Sequence, residues 1–430
     1  MAASRLVSFA EKIIKPNCPT PLSLGRYNLS INDQIMFPIY MPIAAFYPNP
    51  SKTPQQVSNI LQNSLSKVLS SYYPFAGTLR HNTFVDCNDR GAKFMNVRYD
   101  CPMSQVVNLP DTGPEYLPFP KGVPWGRTLD EESLLVVQVS HFNCGGLAIS
   151  ASLSHKIADG CTLANFISDW ASIARDYNAN IPSAQMIGSS IFPPFTNMPS
   201  TKSCTDTMVD EIDNQPLSRK RYVFSNSKLE MLKTQVESET GVQNLTRFEV
   251  LSALIYTCAG TAARANSSSY KPSMLLLAVN LRPILDPPVA TRAIGNIISF
   301  IKIETMSEDE MTIARMVREI RKAKDELKKE DQVKENQLLS LWSELSSMGN
   351  ELEMYRCSSV CNYPLNNLDF GWGKPNRVTI PVIGIGNSFF FMDNQSGDGI
   401  EAIVAVPEKD VNRFENNKEL LKYASPIANL

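Results

Sequence analysis

An alternation of strand-like and helical segments constrains the fold of this chain more than any other feature. Residues 55–72 place apolar side chains at helical spacing. Residues 134–142 and 147–155 are rich in β-branched and apolar residues, and the Asn-Cys-Gly-Gly turn between them predicts a hairpin. A 3.6-residue apolar period begins near Asp159 and continues to about Asn178. The sequence therefore predicts a helix that directly follows the second strand.

The chain is long enough for two hydrophobic cores. Its 430 residues exceed the size at which a single core usually stops growing. Residues 186–220 contain four prolines and many small polar residues, a composition typical of an exposed crossing segment. We therefore predict a domain over 1–185, a crossing loop over 186–220 and a second domain over 221–430.

The second half continues the alternation. Thr246 and Glu249 form a capping-box pattern that predicts a helix over about 247–264. Strands are predicted over 274–282 and 296–304. A charged stretch that opens at Ser307 predicts a helix that extends to about residue 348, with a solvated face.

Charge and cysteine usage exclude several classes of protein. The 41 basic and 43 acidic residues leave a net charge of −2, so neither nucleic acid nor an anionic membrane is expected as a partner. The sequence contains no stretch of about 18 uncharged apolar residues, so no membrane span is expected. The first residues lack the pattern of a secretory signal. The nine cysteines include no CxxC pair, so reduced thiols, no metal site and a cytoplasmic location are expected.

Histidine chemistry has only three candidates, His81, His141 and His155. The first two lie in a polar turn and beside the hairpin loop, where solvent exposure is expected. His155 closes the second hairpin strand, and strand alternation places it on the same face as Leu147 and Leu153. A histidine on an apolar face is often a core residue, and its spacing to Asp159 arises easily by chance.

The segment Asp369-Phe-Gly-Trp-Gly373 is a far more specific signal. Its Asp-Phe-Gly tripeptide is not that of a protein kinase, because no HRD loop, glycine-rich phosphate loop or VAIK lysine accompanies it. A tight turn with two glycines around a packed tryptophan is the simplest structural interpretation.

Two motifs in this order, His155-Lys-Ile-Ala-Asp159 and Asp369–Gly373, resemble those of the plant BAHD acyl-CoA-dependent acyltransferases. The resemblance covers the whole chain, with further matching stretches at 71–77, 84–94, 278–283, 295–296 and 396–402. Within the family, the sequence is most similar to the branch of vinorine synthase, capsaicin synthase and the trichome acylsugar acyltransferases.

The resemblance implies an α/β fold of two similarly built domains, related to chloramphenicol acetyltransferase, with a channel between them. It implies that His155 acts as the general base for transfer from acyl-CoA, the co-substrate, to a small-molecule acceptor. Imidazole suits this role near neutral pH. A monomer with no permanently bound cofactor and no metal is expected. No GxSxG elbow supplies a serine nucleophile, so direct transfer is favoured over an acyl-enzyme.

Other residues receive supporting roles from the same resemblance. Asp159 could form a dyad with His155, but in the family it pairs with the arginine that here is Arg282, and both are assigned to site architecture. The remaining architectural residues are Gly160, Asp369, Gly371, Trp372 and Gly373. A capped helix start at Thr246 and Arg247 offers N–H groups and a cation for CoA phosphate, although an ordinary capped helix with a surface arginine is the favoured explanation.

The acceptor is not identified by the sequence. A sugar, either sucrose or an acylsucrose, is favoured, while an alkaloid alcohol or an amine stays open. A hydrolase is disfavoured by the missing nucleophile elbow. A non-catalytic binding protein of the same fold is disfavoured because His155, Asp159 and Arg282 are all present.

Overall fold

A computed structural model describes residues 6–107, 117–124, 126–128, 130–195, 216–266, 271–329, 344, 352–381 and 386–426. The helices in these ranges are α1 (Ile31–Ile35), α2 (Pro54–Ser71), α3 (Ser104–Val107), α4 (Gly160–Arg175), α5 (Gly188–Ile191), α6 (Asn226–Thr240), α7 (Arg247–Arg264), α8 (Ile313–Lys329), α9 (Glu408–Glu415) and α10 (Lys418–Tyr423). None of these described helices is both long and apolar enough to cross a bilayer.

The strands form two large mixed sheets and one small sheet. In chain order they are β1 (Leu6–Ile14), β2 (Arg26–Asn28), β3 (Tyr40–Tyr47), β4 (Thr78–Arg80), β5 (Phe84–Asp86), β6 (Ala92–Tyr99), β7 (Leu135–Phe142), β8 (Leu147–Ser154), β9 (Leu217–Ser225), β10 (Ser273–Asn280), β11 (Ile298–Thr305), β12 (Glu353–Ser359), β13 (Arg377–Thr379), β14 (Ser388–Asp393), β15 (Gly399–Pro407) and β16 (Ser425–Pro426). The first large sheet has the order β1-β6-β7-β8-β3-β13, and the second has the order β11-β10-β12-β14-β15-β9-β16. Strands β2, β5 and β4 form the small sheet.

Each large sheet carries its own helices and core, which confirms the predicted α/β class. Helices α2 and α4 pack on one another over the first sheet, and Trp170 Nε1 of α4 donates to the carbonyl oxygen of Leu61 in α2. Helices α6, α7 and α8 pack together on the second sheet, where Leu254 and Tyr355 are fully buried. Burial of these apolar faces supplies most of the favourable free energy of folding.

Local sequence signals identified several elements correctly. Helix α2, the β7–β8 hairpin and helix α4 lie where the apolar periods predicted them. The capping box of α7 is present, since Thr246 Oγ1 accepts from the Glu249 N–H and the Glu249 carboxylate accepts from the Thr246 N–H.

Two predicted segments contain or adjoin elements that the sequence did not indicate. Within the predicted crossing loop 186–220, Gly188–Ile191 form a helical turn and β9 begins at Leu217, while residues 196–215 lie outside the described ranges. Strand β9 pairs with β15 over its whole length, a long-range contact that local composition does not reveal. The helix predicted from Ser307 starts instead at Ile313, after a 3-10 turn at Glu308–Glu310. Its predicted part beyond residue 329 lies outside the described residues, apart from residue 344.

The second half of the chain does not stay on the second sheet. Strand β13 pairs antiparallel with β3 at the edge of the first sheet, with Val378 opposite Ala45. Leu368 and Phe370 are buried in the core of the first sheet. The stretch predicted as one C-terminal domain therefore sends residues 365–380 across to the other sheet, because apolar side chains at these positions are buried there.

Candidate active site

A cavity of about 220 Å³ lies between the two large sheets. One wall comes from the end of α1 through β3 and from the start of α4, and the other from β10, β11, β12 and β14. Most of its lining is apolar, including Phe37, Ile39, Leu163, Phe300 and Phe390. A few polar side chains also line it, among them His155, Asn280, Arg356, Ser388 and Tyr363. Such an apolar cleft with a few polar groups is typical of a small-molecule site.

His155 lies on the wall of this cavity, one residue beyond the end of β8. Strand β8 is buried along its whole length. Its pairing with β3 reaches Ser154, opposite Tyr40, and the His155 N–H donates to the Ile39 carbonyl at 2.8 Å. The His155 carbonyl accepts from Asn296 Nδ2 at 2.7 Å. The backbone of His155 is thus held from both sides of the cavity.

Burial lowers the pKa of His155, and the nearby Asp159 carboxylate only partly opposes this effect. The imidazole is therefore neutral near pH 7, because desolvation disfavours its charged form. A neutral imidazole has one nitrogen free to accept a proton. His155 can act as a base at neutral pH.

Asp159 turns away from His155 and toward Arg282. It caps α4, since its Oδ1 accepts from the Thr162 N–H at 2.8 Å. Its Oδ2 accepts from Arg282 Nη1 at 2.7 Å, and its Oδ1 also accepts from Arg282 Nη2 at 3.2 Å. The Ile297 N–H donates to Oδ2 at 3.1 Å. These four donors occupy the carboxylate, so the geometry does not form a His155–Asp159 dyad.

Arg282 is fully buried and connects α4 to the segment before β11. Beyond the bidentate pair with Asp159, its Nη2 donates to the carbonyl oxygens of Ala293 at 2.8 Å and Gly295 at 3.3 Å. Asp159 and Arg282 lie in different halves of the chain, and their ion pair joins the two walls beside the cavity.

Gly160 begins α4 directly after Asp159 and also lines the cavity. A Cβ atom at this position would lie 3.4 Å from Val360 Cγ1 and 3.8 Å from a ring carbon of Tyr363. Both distances are ordinary van der Waals contacts, so the described structure does not require glycine at this position.

The Asp369–Gly373 turn lies on the first sheet and is not part of the cavity wall. Asp369 Oδ1 accepts from the N–H groups of Gly371 at 2.8 Å and Gly373 at 2.9 Å. Both glycines have positive φ, 101° and 93°, a conformation that other residues rarely adopt. Trp372 packs edge-on against Tyr47 of β3, with ring centroids 6.0 Å apart. The motif docks the second half of the chain onto β3.

Thr246 and Arg247 lie at the start of α7 and do not line the cavity. Arg247 donates to Asn226 Oδ1 at 3.2 Å and to Asn362 Oδ1 at 3.4 Å, and it lies 3.6 Å from the Asp393 carboxylate. Asn362 precedes Tyr363, which does line the cavity. The structure thus places Arg247 beside one edge of the cavity, with acidic and amide partners.

The other two histidines lie elsewhere. The His81 side chain is 89% exposed, as predicted. His141, predicted to be exposed, is half-buried, because β7 is an interior strand and His141 lies between Arg98 and Leu147 of its neighbours. Burial and the Arg98 charge lower the pKa of His141 to about 4. Neither residue lines the cavity.

Several polar residues in and behind the cavity wall have no sequence signal that indicates a role. Asn296 is marked only as half of a Gly-Asn pair, and no motif assigns a role to Asp33, Lys156, Arg356 or Tyr363. Asp33 follows Ser30 in a capping-box pattern, a signal that indicates only a helix start. Among the described residues, no cluster of three His, Cys, Asp or Glu side chains could hold a metal ion.

Comparison with known proteins places this chain and its fold in a family. The model of the transferase family matches residues 6–421, and the chain belongs to this family, the BAHD acyltransferases. It is an acyl-CoA-dependent acyltransferase.

Three known proteins resemble this chain over nearly its whole length. It is similar to acylsugar acyltransferase 3 of Solanum lycopersicum, with 41% identity over 99% of both chains. The crystal structure of vinorine synthase is 30% identical and superposes with a TM-score of 0.83 over 98% of both chains. TRI101 of F. sporotrichioides, solved with coenzyme A and T-2, is 17% identical and shares the two-domain fold, with a TM-score of 0.71 over 94% of this chain and 100% of that one.

Proposed function

We propose that this enzyme transfers an acyl group from acyl-CoA to a hydroxyl group of a plant specialised metabolite, with His155 as the general base. The observation that carries the proposal is the position of a half-buried imidazole on the wall of the cavity, where desolvation lowers its pKa. The motif has two other titratable side chains: Asp159 is paired with Arg282, and Lys156 donates to the carbonyl oxygens of Gln34 and Met36 and does not line the cavity. His155 is therefore the group best suited to take a proton from a substrate bound there.

The chemistry needs one proton acceptor. The imidazole removes the proton of the acceptor hydroxyl while the oxygen attacks the thioester carbonyl. The tetrahedral intermediate then collapses, the carbon–sulfur bond breaks, and the imidazolium returns the proton to the CoA thiolate. The products are an ester and CoA with a free thiol, and His155 is neutral again.

Direct transfer within a ternary complex is favoured over a covalent acyl-enzyme. Cys161 lines the cavity, but burial raises the pKa of its thiol, and the thiol rather than the reactive thiolate predominates. Ser154 is fully buried at the end of β8. Neither flanking side chain has the activated environment of a nucleophile.

Acyl-CoA is proposed to approach past Arg247 at the start of α7. Support comes from the cationic side chain beside Asn362, which adjoins the cavity wall at Tyr363. The fold relative TRI101 was solved with coenzyme A. An arginine at a helix start is a favourable environment for phosphate, and Thr246 would position that helix start through its capping bond.

A sugar is the favoured acceptor, with an acylsucrose fitting the lining better than free sucrose. Support comes from the likeness to an acylsugar acyltransferase and from the mostly apolar cavity, which would accommodate acyl chains already on the sugar. An alkaloid alcohol or an amine with a similar apolar body is the alternative. Mass spectrometry of products from panels of acyl-CoA and acceptor decides between them.

The role of His155 is tested by His155→Ala. Loss of the base should lower kcat by about 10²–10⁴ while circular dichroism shows an unchanged fold. His81→Ala and His141→Ala serve as matched controls and should retain activity, because neither residue lines the cavity. A folded His155→Ala enzyme with activity within a few-fold of the unsubstituted protein would refute the assignment.

A further inference from the structure

The side-chain amide of Asn296 is held in one orientation behind His155. Its Nδ2 donates to Asp33 Oδ1 at 2.8 Å and to the His155 carbonyl oxygen at 2.7 Å. Both partners are acceptors only. A flipped amide would place its oxygen against two other oxygens, so the hydrogen-bond network itself determines which end faces Asp33. The amide oxygen Oδ1 must therefore point elsewhere.

Two buried polar atoms near each other have no hydrogen-bond partner in the described structure, Asn296 Oδ1 and His155 Nδ1. One is an acceptor, and the other carries a proton whenever the neutral imidazole uses Nε2 as its basic atom. The Asn296 side chain already lies close enough to favour the charged imidazole, although no bond of ordinary geometry has formed. Such contacts commonly tighten when substrate binds.

Asp33 holds Asn296 in turn. This carboxylate is fully buried and accepts four hydrogen bonds, from the N–H and Oγ of Ser30 and from the N–H and Nδ2 of Asn296, at 2.8–2.9 Å. Gly295 makes the approach possible, because it has a φ of 114° and a Cβ there would lie 3.2 Å from the Tyr27 hydroxyl. Asp33 and Asn296 come from opposite halves of the chain.

From these contacts we propose that Asn296 is a positioning residue for His155, its Oδ1 accepting the Nδ1–H of the imidazole, and that Asp33 fixes the Asn296 amide. Asn296 and Asp33 together orient the His155 imidazole, a role that the His-x-x-x-Asp spacing suggests for Asp159. The proposal rests on the proposed function only in treating Nε2 of His155 as the base. No covalent step is involved.

Several other groups surround the imidazole. The Asp159 carboxylate is compensated by Arg282. The Lys156 ammonium donates to the carbonyl oxygens of Gln34 and Met36, and burial lowers its pKa to about 7. The carbonyl oxygens of His155 and Ala158 also favour the charged imidazole, and they are the rival acceptors for the Nδ1–H. The experiment must therefore distinguish hydrogen bonding of the Nδ1–H to these carbonyl oxygens from hydrogen bonding to Asn296 Oδ1.

Nitrogen-15 NMR of histidine-labelled protein makes this separation, because the chain has only three histidines and His155→Ala identifies the signal. At a pH where the ring is neutral, we expect the Nδ1–H tautomer in the unsubstituted enzyme and a mixture of tautomers in Asn296→Ala. Asn394→Ala is the matched control, since Asn394 is also buried, donates through Nδ2 to a carboxylate and has an unpartnered Oδ1. It should leave the tautomer unchanged.

An Nε2–H tautomer in the unsubstituted enzyme overturns the proposal, as does an unchanged Nδ1–H tautomer in folded Asn296→Ala, which would assign the role to the backbone carbonyls. Asp33→Asn provides a second variant if Asn296→Ala fails to fold, and it should produce the same mixture. The NMR result does not depend on activity. It therefore stands apart from the outcome of His155→Ala.

Kinetics supply the second readout. Loss of an orienting partner should lower kcat about 10–100-fold, by analogy with the cost of removing a group that orients a metal-binding histidine. KM for acyl-CoA and acceptor should stay within a few-fold, because Asn296 and Asp33 do not line the cavity. A merely structural role would instead reduce the amount of folded enzyme and leave kcat per folded molecule intact, and that outcome overturns the proposal.

Discussion

The Asp159–Arg282 ion pair offers a direct test of the difference between a catalytic and an architectural aspartate. Arg282→Met removes the guanidinium but keeps much of the side-chain volume. Asp159 would then retain two backbone donors, Thr162 and Ile297, and lose both bonds from the arginine. The Ala293 carbonyl oxygen would lose its bond from Arg282, and the Gly295 carbonyl oxygen would keep only the bond from the Thr162 hydroxyl.

The expected loss of stability is large because both side chains are almost completely buried, with exposed fractions of 1% and 2%. Removing one partner of such a pair costs about 3–5 kcal/mol, since the other charge stays buried without compensation. Because the Thr162 and Ile297 N–H groups still donate to the Asp159 carboxylate, we expect the loss in the free energy of unfolding to lie at the lower end of this range, near 3 kcal/mol. For a cooperative unit of about 200 residues, this corresponds to a fall in Tm of roughly 6–12 °C.

Thermal unfolding and initial rates, measured on the same samples, test this reasoning. Arg282→Met and Asp159→Asn should each lower Tm and activity together, and the double variant should recover about 1–3 kcal/mol relative to the sum of the single effects. Arg292→Ala is the control, because it breaks a second pair, with Asp169 on the same helix, whose residues do not line the cavity. It should lower Tm and leave kcat unchanged. An Asp159→Asn enzyme with an unchanged Tm and no activity would refute the architectural role and restore a His155–Asp159 dyad.

Three further outcomes are expected. Because burial lowers the pKa of His155, the imidazole stays neutral as the pH falls through 6.5. A profile of kcat/KM against pH should therefore bend below 6.5, and an inflection at or above 6.5 would contradict the burial argument. Initial rates with varied acyl-CoA and acceptor should give intersecting double-reciprocal lines, because both substrates must be bound during direct transfer. Parallel lines, or a stoichiometric burst of CoA without acceptor, would indicate an acyl-enzyme, with Ser154 and Cys161 as the first candidates. Arg247→Ala should raise KM for acyl-CoA several-fold with little change in kcat, whereas Arg264→Ala, at the other end of the same helix and paired with Glu308, should change neither.

Elements with strong local signals could be predicted from the sequence. Helix α7 begins at its capping box, and helix α4 follows the hairpin because the apolar period changes at that point. Strand β13 could not be predicted in the same way. It has three residues, and only its pairing with β3, more than three hundred positions earlier in the chain, makes it a strand.

In the site too, some features follow from local sequence and others depend on contacts between residues far apart in the chain. The position of His155 at the end of a buried strand follows from strand alternation. Its surroundings depend on partners remote in sequence, since Arg282 lies 123 positions from Asp159 and Asn296 lies 263 positions from Asp33. The four-residue spacing to Asp159 is the only local clue, and it points to a contact that the fold does not make. His141 is half-buried rather than exposed, because a loop-flanking position in the sequence gives no information about the neighbouring strands.

The crossing of residues 365–380 to the first sheet limits how two enzymes of this kind can be recombined. A chimaera joined within 186–220 would supply β3 from one parent and β13, together with the Trp372 that packs on Tyr47, from the other. In such a hybrid, β13 of one parent would have to pair with β3 of the other at the edge of the first sheet. Exchanging residues 365–380 along with the first half would keep this contact within a single parent, whereas the Asp159–Arg282 and Asp33–Asn296 contacts described above would still join residues of different parents.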